Sequence, residues 1–178
     1  MFKQYLLSAK TNGNPISIYF DNEDTGKFSF GFVQGVSDDY ILLASVSPFG
    51  FYDGYDTISS KSISRLETND RYGERIHKLY EIRKENHPIV NLTSGNLVLD
   101  LIQFSCDKQF VITIELDNSG YDDLQGMVSV VQDDTILVNQ LDDDGRPDGQ
   151  TIVSIDRITR VKCDSDKEMA MKLLYENL

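Results

Sequence analysis

The sequence predicts a mainly β protein with added helices, built as two tandem copies of one small five-stranded domain. Three observations predict it. The first is a repeat at a constant offset of 95 residues: Gly31, Val33, Val36, Asp38, Asp39, Ile41 and Leu42 return as Gly126, Val128, Val131, Asp133, Asp134, Ile136 and Leu137. Gly50, Asp53, Gly54, Ser59, Ile63 and Arg65 return as Gly145, Asp148, Gly149, Ser154, Ile158 and Arg160, and Leu79-Tyr80-Glu81 as Leu174-Tyr175-Glu176. From Gly31 to Glu81, 16 of 51 positions are identical without a gap. A match that long implies an internal duplication rather than chance or a short solenoid repeat. The second observation is a series of short alternating apolar runs broken by Gly and Asp. The third is helical spacing at the start and end of each copy.

The copies are placed at residues 1–85 and 88–178, with Glu85-Asn86-His87 as a short linker. Residues 2–10 (FKQYLLSAK) read as a helix stopped by Asn12-Gly13-Asn14-Pro15. Ile16, Ile18 and Phe20 alternate with Ser17 and Tyr19, a half-buried strand. Phe28, Phe30, Phe32 and Gln34 share one side of a longer strand, which Gly31 and Gly35 bend. Ser37-Asp38-Asp39 turns the chain into a third strand, Tyr40 to Val46; further strands lie near Tyr55 to Ser59 and Ile63 to Leu66. Arg71 to Lys84 reads as a helix with Tyr72, Ile76, Leu79 and Tyr80 on one face, capped by Asn69 or Asp70. In the second copy Pro88 sits at a helix start, and a helix covers Asn96 to Phe104. Strands follow at 110–116, 124–132, 135–141, 150–155 and 158–162. A last helix, about Ser165 to Asn177, turns Met169, Leu173 and Leu174 inward.

The 178 residues carry a formal charge of −12. Residues 1–88 hold 10 Lys/Arg against 12 Asp/Glu, and residues 89–178 hold 7 against 17. So acidic a chain repels phosphate backbones, which disfavours RNA and DNA as partners. No apolar run reaches the roughly 18 residues of a membrane span. The first ten residues lack the pattern of a secretory signal. Cys106 and Cys163 alone make neither a disulfide framework nor a zinc site. A reduced, cytoplasmic setting without membrane contact is the expectation.

The runs ISIYF and VITIEL, then GFVQGVSDDYILL and GMVSVVQDDTILV, then ISRL and ITRV, resemble the strand pattern of the Sm/LSm family of small SH3-like barrels. The resemblance covers roughly residues 16–66 and 110–161. It implies two five-stranded barrels and, for the family's usual members, RNA binding. RNA-binding members place an Asn in the turn before the third strand and Arg-Gly before the last. Here those turns read Ser37-Asp38-Asp39-Tyr40 and Gln132-Asp133-Asp134-Thr135, and the Arg-Gly positions read Ser59-Ser60 and Ser154-Ile155. The resemblance therefore implies the fold without the family's RNA site.

Three features are candidate sites. Phe49, Phe51, Tyr52 and Tyr55 crowd one loop. Such rings suit packing on the other barrel or a subunit, a protein partner, or a cage for a methylated cation. Arg71, Arg75 and Lys78 lie on one helix, where they suit phosphate, although Glu74 and Glu81 on the same helix also fit a solvated face. Gln140, Asp142 and Asp144 fall at the first, third and fifth positions of a calcium-type loop around Gly145. Position twelve is Thr151 rather than Glu, and a hairpin turn explains the loop as well. Catalysis has little support: His77 and His87 have no partner at triad or metal spacing, and no phosphate-binding glycine loop occurs, so no cofactor is expected. The expected function is a non-enzymatic cytoplasmic protein-interaction module, with a protein partner or self-association. The alternative is an RNA-binding LSm-like protein using the basic helix.

Overall fold

The structure, a computed structural model, describes residues 1–21 and 24–178. The chain divides into two compact units, Met1–Val90 and Asn91–Leu178. The boundary falls a few residues beyond the linker expected from sequence, because Glu85 to Val90 pack onto the first unit.

In the first unit a helix, α1 (Phe2–Asn12), precedes β1 (Pro15–Tyr19), β2 (Phe28–Val36), β3 (Tyr40–Val46), β4 (Tyr52–Ser59) and β5 (Arg65–Glu67), and α2 (Arg71–Arg83) follows. All pairings are antiparallel, in the order β5-β1-β2-β3-β4. In the second unit α3 (Leu97–Lys108) precedes β6 (Val111–Leu116), β7 (Leu124–Gln132), β8 (Thr135–Leu141), β9 (Pro147–Ser154) and β10 (Ile158–Cys163), and α4 (Asp166–Glu176) ends it. Its order is β10-β6-β7-β8-β9, the same arrangement. The described residues form open sheets, not the closed barrels expected. A single 3-10 turn, Ser60–Ser62, carries the chain out of β4, and β5 then pairs with β1 rather than with β4.

The units also match in detail. β2 and β3 lose register between Val33 and Gly35, β7 and β8 between Val128 and Val130. A second bulge lies at Ala44/Val46 and again at Asn139/Leu141. Each is offset by the repeat length, so the spacing of the sequence repeat is that of the bends. Gly31 and Gly126 are shared because a Cβ on either would lie 2.1 Å from a carbonyl oxygen, that of Ala44 or of Asn139. No side chain fits where two strands cross that closely.

The inner face of the first sheet holds the core: Ile16, Ile18, Val33, Ile41, Leu43, Ile58 and Ile63, closed by Leu6 and Ala9 of α1. The outer face of β1 and β2 takes α2, with Ile76 and Tyr80 on Phe28, Phe30 and Phe32. β1 is therefore buried on both faces, whereas alternation alone predicted one. Asp70, not Asn69, caps α2, its carboxylate accepting from the Gly73 N–H at 2.8 Å. Asn69 instead takes a left-handed φ of 58° in the preceding turn.

The helices expected for the second copy differ from those observed. Pro88 starts no helix, and α3 begins at Leu97, where the Asn96 side chain accepts from Val98 and Leu99 N–H. On α4 the inward residues are Glu168 and Met171, while Leu173 and Leu174 are 64% and 47% exposed. Glu168 is drawn in by hydrogen bonds. Thr113 Oγ1 donates to it at 2.5 Å, the Ser165 N–H at 2.9 Å, and the Ser165 hydroxyl closes the capping box. Apolar periodicity cannot register a buried carboxylate.

Candidate functional site

The loop between β3 and β4 in the first unit is held by its own turn and by α2. Ser47 accepts the Gly50 N–H on its carbonyl and the Phe51 N–H on its hydroxyl. Gly50, at φ 75°, lies against Leu79 and Tyr80 of α2. Arg83 at the end of α2 reaches back: its Nε donates to the Phe49 carbonyl at 3.0 Å, and its guanidinium sits 3.9 Å from the centre of the Phe51 ring. The turn is thus fixed, yet Phe49 is 64% and Phe51 42% exposed.

Tyr52 and Tyr55 belong to a different environment. Tyr55 is 1% exposed, on β4, and its hydroxyl donates to the Pro88 carbonyl at 2.7 Å. Tyr52 is half-buried and lies 4.5 Å from the His87 ring. The four aromatics therefore split. Two form an outward pair beside Arg83, and two hold the segment after α2.

That segment crosses the outer face of β2, β3 and β4 and bonds to residues on all three. Gln34 donates to the Pro88 carbonyl at 3.1 Å and accepts the Val90 N–H at 3.0 Å. His87 Nε2 lies 2.8 Å from the Ser45 carbonyl, which can only accept, so Nε2 carries the proton. Nδ1 is then the acceptor for the Tyr80 hydroxyl, 2.8 Å away. Burial lowers the His87 pKa from 6.5 to about 4, keeping the ring neutral and this pattern intact. His87, expected in the linker, is 9% exposed and ties this segment to β3 and α2.

Arg71, Arg75 and Lys78 are exposed at helical spacing on α2 and make no ion pair among the described residues. His77 lies 3.7 Å from Glu81, one turn on. At the N-terminus of α2 a cavity of about 70 Å³ is lined by Glu67, Asp70, Glu74 and His77 beside Phe30. It holds about two waters, far from the size of a substrate pocket.

The residues of the calcium-type loop serve the hairpin. Asp142 Oδ1 accepts the N–H groups of Asp144 at 3.0 Å and Arg146 at 2.8 Å, and Gln140 accepts from the Thr151 hydroxyl at 2.6 Å. Among the described residues no group of three His, Cys, Asp or Glu is arranged to hold a metal ion, and no helix is long and apolar enough to cross a membrane. Cys106 and Cys163 are free thiols; burial pushes the pKa of Cys163 well up.

Sequence reasoning missed Gln34 and the segment His87–Val90. A polar residue on an apolar strand face, at a bulge, was the available signal. Comparison with protein-family models, curated proteins and solved structures found no match for this chain.

Proposed function

We propose that this chain is a non-enzymatic, cytoplasmic protein-interaction module made of two Sm-like domains that arose by duplication of one. Equal strand order, equal bulges and equal close-packed glycines in the two units support the duplication and the Sm-like kinship. One observation carries the interaction reading: Phe49 and Phe51 stand exposed on a turn that is itself rigidly held. The corresponding turn of the second unit carries Asp144 and Arg146. The fold does not need rings there. Aromatics beside an arginine on a fixed surface are the composition of an interface centre, because little entropy is lost when they are covered.

The test is affinity capture with the full chain and with the double variant Phe49→Asp, Phe51→Arg, which borrows the second unit's residues. A protein that binds the parent directly once purified, and loses at least tenfold affinity for the variant, supports the reading. Equal affinity, with both proteins folded by circular dichroism, overturns it.

A second reading is RNA binding through Arg71, Arg75 and Lys78, favoured by their lack of ion pairs. Overall charge opposes it. Anisotropy with a single-stranded RNA at two salt concentrations separates the readings. Sub-micromolar binding at physiological salt, lost in Arg75→Glu, would favour RNA.

A further inference from the structure

The outer face of the first unit is occupied by residues 87–90 of its own chain, and Leu42, Ala44 and Thr57 on that face are fully buried. The same face of the second unit is open. Val130 pairs with Leu137, and Leu137 with Ile152, so one apolar row crosses β7, β8 and β9. Val130 is 43% and Ile152 73% exposed. These positions correspond to Gly35, Leu42 and Thr57, which the same registers align in the first unit. Exposed carboxylates lie on both sides of the row along the strands: Asp133 and Asp134 in the β7–β8 turn, and Asp148 near the start of β9. The unit as a whole holds 7 Lys/Arg against 17 Asp/Glu.

We propose that this face docks an extended, basic and apolar segment of a partner protein, as the first unit docks its own residues 87–90. Apolar side chains of the segment cover Ile152 and Val130, and its long lysine or arginine side chains reach the carboxylates on either side. Ser129 stands at the bulge where Gln34 stands, and Gln150 where Tyr55 stands. The Ser129 hydroxyl donates to the Leu137 carbonyl at 3.3 Å and the Gln150 amide to Asn139 at 2.8 Å, so it is their oxygens that are offered to N–H groups of a passing backbone. The proposal rests on the reading of the chain as an interaction module and names a second contact surface for it.

The test uses three labelled ten-residue peptides: alternating Lys/Val, alternating Glu/Val and alternating Lys/Ser. Binding to the full chain is read by fluorescence anisotropy and by amide shifts in NMR spectra. The Lys/Val peptide should bind at least tenfold tighter than either control. It should shift Val130, Leu137 and Ile152, and lose at least tenfold affinity on Ile152→Asp. A milder variant, Ile152→Thr, guards against misfolding and should show an intermediate loss. Equal affinity for all three peptides, shifts confined to other surfaces, or no binding overturns the proposal. So does self-association that Ile152→Asp abolishes, since the occupant is then a second copy. The variant Phe49→Asp, Phe51→Arg should leave peptide binding unchanged. Partner capture that persists through Phe49 and Phe51 while the peptides fail would reject this surface and leave the module reading standing.

Discussion

Gly50 and Leu79 meet so closely that a Cβ built on the glycine would lie 2.4 Å from the leucine Cβ. The second unit repeats the contact: a Cβ on Gly145 would lie 2.8 Å from Leu174 Cβ. Glycine and leucine recur together at the repeat offset because each loop must touch its helix. In the first unit this contact aims Phe49 and Phe51.

Gly50→Ala combines a left-handed backbone with a clash, and the expected loss is about 2–4 kcal/mol. Gly13 shares a left-handed φ, 67°, but has nothing within 4 Å of its Cβ position. Gly13→Ala should cost only about 1–2 kcal/mol. Urea denaturation of both variants measures the difference. Equal losses would mean that the loop does not press on α2.

His87 makes the first unit acid-sensitive. Its pKa falls from 6.5 to about 4 on folding. The unfolded chain therefore binds the proton more readily between those values. This contribution is complete above pH 6.5 and is lost as pH falls through the window to 4. The shift corresponds to about 3 kcal/mol at most. His87→Gln should be less stable than the parent at pH 7.5, and the gap should close by pH 4. Denaturation midpoints at four pH values test this; a gap that stays constant would contradict it.

Thr113 and Ser17 occupy corresponding places, but only Thr113 has a partner. It donates to Glu168, whereas the Ser17 hydroxyl is buried without one, because Gly73 stands where the second unit has Glu168. Thr113→Val should cost about 1–3 kcal/mol by leaving a buried carboxylate short of a donor. Ser17→Ala should be neutral within about 0.5 kcal/mol. A larger loss at Ser17 than at Thr113 would reverse the assignment.

The strands were legible where a local pattern suffices. The ranges 124–132 and 135–141 match β7 and β8 to the residue, because alternation and turn residues act over a few positions. The helix face of α4 was not, since Glu168 is drawn inward by Thr113, 55 residues away. Proximity in sequence groups Tyr55 with Phe49. It lies on β4 instead, and strand direction, not spacing, decides which rings face water. Glu85-Asn86-His87 reads as a linker and Pro88 as a helix start because the groups that bind His87 to Val90, namely Gln34, Ser45 and Tyr55, lie 33 to 56 residues away. Long-range partners leave no local periodicity.

The basic stripe offers a further check on stability. Arg75→Glu with Lys78→Glu should change the denaturation midpoint by less than about 0.5 kcal/mol, because both side chains are exposed and unpaired. A large loss would show that α2 relies on them for packing.

The most direct test of the central claim is the binding affinity of one purified partner for the full chain and for Phe49→Asp, Phe51→Arg, with denaturation midpoints measured alongside. Stability should stay unchanged within about 1 kcal/mol, since the second unit tolerates those residues, and affinity should be at least tenfold weaker. Unchanged affinity in a folded variant would contradict it.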